Sequence, residues 1–201
     1  MKTFSVIFHP LLMATYVLLT FYLYLPEIFS PVALRSIPTV ILATFLTTFI
    51  IPIISILILK MTSRVSSLEL TQREDRILPF ISIVLFYGAA TYMYFTKLHI
   101  QPPLSIMMLV VTLLIAILLL ITFRYKISIH AAASWGVVGL LVALSQKVSG
   151  GNLMIPIALF TFIAGLVSTS RLWLGNHTPS EIWSGTFLGF VFCFSGVYFF
   201  S

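Results

Sequence analysis

Seven long apolar stretches, at roughly 4–25, 37–59, 77–96, 103–123, 130–147, 153–170 and 182–200, constrain this chain more than any other feature. Each comes close to the ~20 residues that an α-helix needs to cross ~30 Å of hydrocarbon. Lipid satisfies no backbone hydrogen bonds, so a chain of such stretches folds as helices or not at all. The expected fold is all-α, a polytopic transmembrane bundle of about six or seven helices. Composition agrees: 60% of the 201 residues are hydrophobic and only 8% are charged, too few charges to clothe a soluble domain. At this length a single domain spanning 1–201 is expected.

The net charge of +6 is spread among apolar segments, which argues against a nucleic-acid-binding face and for basic residues at the headgroups. One cysteine, Cys193, excludes an intrachain disulfide and a multi-cysteine metal site. The N-terminal stretch Phe4 to Leu25 is too long and aromatic for a cleaved signal and reads as a retained helix. Small residues at helical spacing, Ala132, Gly136, Gly139 and Ala143 with Gly185 and Gly189, predict close helix packing.

The connections fall into two kinds. Three carry little charge and are marked by Pro26, Pro31 and Pro38, by Gln101-Pro102-Pro103, and by Ser149-Gly150-Gly151-Asn152. The other three, 60–76, 124–128 and 171–181, hold the unusual polar residues. A hairpin of helices separates each pair of these, so all three must share one side of the membrane. That side gathers His130, His177, Arg73, Arg76, Arg171, Lys126, Ser128 and Glu181.

Each of these has an ordinary explanation by itself. Thr178-Pro179-Ser180-Glu181 has the form of a capping box with proline at the first helical position, so Glu181 can serve an orphan amide. Arg171 can snorkel, and Arg73 and Arg76 can pair with Glu74 and Asp75. Together, however, guanidinium groups in a partly buried place attract phosphate. Two imidazoles add a nucleophile and a proton donor. Glu181 can also orient His177. The chemistry suggested is phosphoryl transfer.

The residues that carry this reading resemble the signatures of the type 2 phosphatidic acid phosphatase family. Ser170-Arg171, five residues, His177, three residues, Glu181 is similar to S-R-x5-H-x3-D, and 175–181 to the surrounding G-x-H-x-P-S-D run. Ser128-Ile129-His130 resembles P-S-G-H, and Arg73 to Pro79 loosely echoes K-x6-R-P. The resemblance spans about 73–185. It departs from the family at Glu181 for Asp, at Ile127 and Ile129 for Pro and Gly, and at Glu69, where the first signature has Lys. Arg73 or Lys126 stands nearest to replace that lysine.

The resemblance implies an integral membrane lipid phosphate or diphosphate phosphatase that uses neither metal nor cofactor. It makes His177 the nucleophile, Glu181 its orienting partner and His130 the acid on the leaving group. Arg171, Ser128 and Arg76 hold the phosphate. The implied partners are a lipid phosphate substrate (phosphatidate, phosphatidylglycerol phosphate or polyprenyl phosphate) and membrane lipids, with no nucleic acid, in a plasma or inner membrane. Three other readings use the same residues: a lipid phosphotransferase, a non-catalytic binder of anionic lipid, and a zinc site on His130, His177 and Glu181. Lys2, Lys60, Arg64, Arg73, Arg76, Arg124, Lys126 and Arg171 lie on the site's face, against Arg35, Lys97 and Lys147 opposite. Four of the first set are explained by phosphate instead, and the remainder, four against three, does not orient the protein.

Overall fold

The computed structural model describes residues 2–65, 74–148 and 152–201, and every regular element among them is helical. Five stretches are long and apolar enough to cross a membrane: Leu34–Met61, Glu74–Thr96, Pro102–Thr122, Met154–Trp173 and Pro179–Phe200. Two shorter apolar helices, Pro10–Tyr24 and Ile129–Ser145, complete the bundle. This is the architecture of an integral, multi-pass membrane protein. Large apolar side chains such as Leu23, Leu85, Phe162 and Phe187 point outward, where lipid is their solvent.

The α-helices are α1 (Lys2–Ile7), α2 (Met13–Tyr24), α3 (Ile37–Phe45), α4 (Ile51–Met61), α5 (Ile77–Thr96), α6 (Pro102–Thr122), α7 (Ile129–Ser145), α8 (Met154–Trp173) and α9 (Pro179–Phe200). The later spans fall close to where hydropathy puts them. The first does not, since the stretch 4–25 is two helices with a break between them. Pro10 has no N–H to continue α1 and drives the residue before it out of the helical region. His9 is accordingly extended, at φ −65° and ψ 139°, and a 3-10 turn over Pro10–Leu12 leads into α2. The short α1 packs against α8.

The second span also departs from a regular helix, though it does not break. A π turn over Leu46–Ile50 joins α3 to α4 just before Pro52. The wider turn absorbs the hydrogen bond that Pro52 cannot make. Thr44, Thr47 and Thr48 then return their hydroxyls to the carbonyls of Val40, Ala43 and Thr44 at 2.7–2.9 Å. Buried hydroxyl pairs at 2.8 Å, Thr44 with Tyr94 and Thr91 with Thr112, tie α3 to α5 and α5 to α6.

The closest approach of all lies between α7 and α9, where the stripe of small residues is used as its spacing predicts. A Cβ placed on Gly189 would run into the backbone of Ala132, and one on Gly139 into the backbone of Phe190. At Gly185 it would stand 2.5 Å from the Ser128 carbonyl oxygen. Backbones this near leave no room for repacking. Consequently the first turns of α7 and α9 are locked side by side, and the Ser128 amide donates to the Glu181 carbonyl at 3.1 Å. That lock brings two of the polar connections together.

Candidate active site

The third connection is shaped by its glycine. Gly175 adopts φ 65°, which a side chain disfavours, and its amide closes α8 by donating to Leu172 O at 3.0 Å. The chain then turns back, and Thr178 caps α9. Both halves of the capping box form: the Glu181 amide donates to Thr178 Oγ1 at 3.4 Å, and the Thr178 amide to Glu181 Oε2 at 3.3 Å. The same Oε2 lies 2.7 Å from His177 Nδ1. Capping and orientation of the histidine therefore fall on one carboxylate oxygen. Neither use excludes the other.

His177 is 7% exposed, and the carboxylate beside Nδ1 fixes its tautomer. Nδ1 carries the proton, and Nε2 keeps a lone pair on the opposite edge of the ring. Burial holds the imidazole well below its ordinary pKa; the Glu181 hydrogen bond opposes this, and the positive charges of Arg76 and Arg171 reinforce it. The ring is neutral at pH 7.

Arg76 ends a 3-10 turn over Glu74–Arg76 that precedes α5, and it is 3% exposed. Its Nη1 donates to Ile127 O at 3.3 Å, which ties the start of α5 to the 124–128 connection. Arg171 comes from the last turn of α8, and His130 from the first turn of α7. His130, His177, Arg76 and Arg171 all line a single cavity of about 140 Å³. Apart from these groups and His9 the lining is largely apolar and includes Val17, Tyr87, Met108, Leu118 and Leu140. Leu140 stands ten residues beyond His130 on α7, about 15 Å along the helix axis.

Of the other expected residues, Glu181, Ser128 and Lys126 do not line this cavity. Glu181 is behind His177 rather than in the wall. Ser128 is fully buried as the cap of α7, its hydroxyl accepting from the Ala131 amide at 3.4 Å. The half-buried Lys126 is not in the cavity wall. Arg73, and Glu69 at the place of the first-signature lysine, lie outside the described residues. Among the described residues no three His, Cys, Asp or Glu side chains are grouped as metal ligands.

A third imidazole in the wall has no counterpart in the motif reading. His9, at the break between α1 and α2, lines the cavity, and its ring centre is 5.6 Å from that of His130. The signal for it was present in the sequence, a histidine directly before proline inside an otherwise apolar span. Motif spacing missed it because it stands about sixty residues before the first signature and more than a hundred before the second and third.

Comparison with known proteins agrees with the resemblance. Residues 122–201 match the model of the PAP2 superfamily, a stretch that contains the second and third signatures and leaves out the first. No curated protein and no solved structure matches the chain.

Proposed function

We propose that the protein is a lipid phosphate phosphatase working through a phosphohistidine, a reading supported by the match of residues 122–201 to the model of the PAP2 superfamily. One observation carries this reading. His177, backed by Glu181 at 2.7 Å, shares a cavity with His130 and two arginines, and that cavity continues into the apolar interior. A phosphate monoester of a lipid fits both ends, with its anion between the guanidinium groups and its tail in the apolar slot.

The chemistry follows from the tautomer. Nε2 of His177 attacks phosphorus, and a P–N bond forms as the P–O bond to the lipid alcohol breaks. His130 gives its proton to the departing oxygen, while the Nδ1 proton stays on the His177 ring and the Glu181 carboxylate that accepts from it stabilises the positive charge there. Water then attacks phosphorus, returns a proton to His130, and the P–N bond breaks to release phosphate. Arg76 and Arg171 stabilise the equatorial oxygens in both steps. No metal takes part in this scheme, so EDTA leaves the rate unchanged.

The test is phosphate release in detergent from phosphatidate, phosphatidylglycerol phosphate and polyprenyl mono- and diphosphate. His177→Ala is expected to lose activity by about a thousandfold or more on whichever lipid the wild type cleaves. Full activity in that variant would end the proposal.

A further inference from the structure

His9 comes from a part of the chain that the family match does not reach, yet it faces the same cavity as His130, His177, Arg76 and Arg171. Three features hold it there. Pro10 removes the backbone from the helical path, which lets the side chain of residue 9 turn inward. Its Nδ1 accepts a hydrogen bond from the Leu11 amide at 3.3 Å. Its ring meets Phe49 edge-on, with centroids 6.5 Å apart, on one side and His130 on the other.

The Leu11 bond decides the tautomer. An Nδ1 that accepts from a backbone amide carries no proton, so in the neutral ring the proton is on Nε2. His9 therefore enters the site as a fixed N–H donor. Its nearness to Arg171 and His130 puts that donor where the proposed scheme holds the phosphate.

We propose that His9 is a substrate-binding residue, whose Nε2–H donates a hydrogen bond to an oxygen of the phosphoryl group held between Arg171 and His130. This rests on the phosphate reading given above. It assigns to the N-terminal break a function beyond packing. It also identifies a phosphate ligand supplied by the N-terminal segment, in a chain whose first signature lacks its lysine. The group recognised is a phosphoryl dianion, whether free phosphate or a lipid headgroup.

Two substitutions separate donation from capping. In His9→Asn the amide oxygen can still accept from the Leu11 amide, as a helix-capping asparagine does, but nothing replaces the Nε2 donor. In His9→Gln the longer amide can place an N–H near the Nε2 position while the cap is weakened. The full-length protein in detergent is compared for inorganic phosphate affinity by calorimetry and for KM on the lipid phosphate it cleaves best. Thermal unfolding verifies that each variant is folded.

The proposal expects His9→Asn to weaken phosphate binding and raise KM by roughly tenfold to a hundredfold, the range of one hydrogen bond to a charged group, with His9→Gln within about threefold of wild type. Wild-type affinity in His9→Asn, equal loss in both variants, or loss only in His9→Gln would each overturn it. So would failure of the wild type to bind phosphate in both arms. A change confined to inorganic phosphate places the contact on free phosphate, and one seen with both ligands places it on the headgroup. If the wild type binds phosphate but cleaves no lipid, the phosphatase reading fails while the His9 comparison still stands.

Discussion

The cavity is walled by two regions built in different ways. On one side α7 and α9 touch through backbone, with glycines at the crossing and the Ser128 amide bonded to the Glu181 carbonyl. On the other side the N-terminal segment meets its neighbours through side chains: the Tyr87 hydroxyl donates to the Leu11 carbonyl at 3.4 Å, and the His9 ring contacts those of Phe49 and His130. Backbone contact permits almost no relaxation, whereas ring contacts can shift by a few tenths of an ångström. The groups given the bond-making roles, His177 and His130, stand on the unyielding side. The comparison teaches that placement of the nucleophile is written into helix packing, while the groups that greet the substrate come from more replaceable pieces.

The comparison can be broken first at Glu181. Glu181→Gln keeps an acceptor for the Thr178 amide but removes the charge that holds the His177 tautomer. A fall in kcat of about 10²- to 10⁴-fold is expected, by analogy with loss of the acid partner of other catalytic imidazoles. The pH profile gives the sign independently. The carboxylate raises the pKa of His177 against the burial that lowers it, so its loss moves the acid limb of the kcat profile to lower pH. An acid limb displaced upward would contradict this assignment.

A second test strikes the crossing itself. Gly189→Val forces a side chain into the Ala132 backbone, and about 2–3 kcal/mol of destabilisation is expected in detergent unfolding, with activity lost alongside. The smallest effect belongs to Gly165→Ala on α8. Nothing lies within 4 Å of a Cβ there, so stability should stay level or rise by up to about 1 kcal/mol as helix propensity improves. Equal responses at the two glycines would remove the claim that the α7–α9 crossing is unyielding.

Hydropathy alone reads most of this fold, because in lipid an apolar run of the right length has few alternatives to a helix. The capping box at Thr178 and Glu181 and the small-residue stripe of α7 are equally plain, since the first is a contact within one turn and the second a spacing along one helix. What escapes is where proline acts. Pro10 breaks its span and Pro52 does not, and the difference is tertiary: a π turn and threonine hydroxyls absorb the second, while the first lets His9 meet His130. Ser128 has a second use of this kind. Its motif position suggests a phosphate ligand, and its hydroxyl also accepts from the Ala131 amide as the cap of α7, a contact that only coordinates reveal.

The central claim is tested most directly by trapping the covalent step. Wild-type protein mixed with lipid carrying ³²P in its phosphate and quenched in base should retain label that acid removes, as a phosphoramidate does. Peptide mapping should put that label on His177, and His177→Ala should carry none. Phosphate release without any trapped label, or label that persists in His177→Ala, would contradict the account.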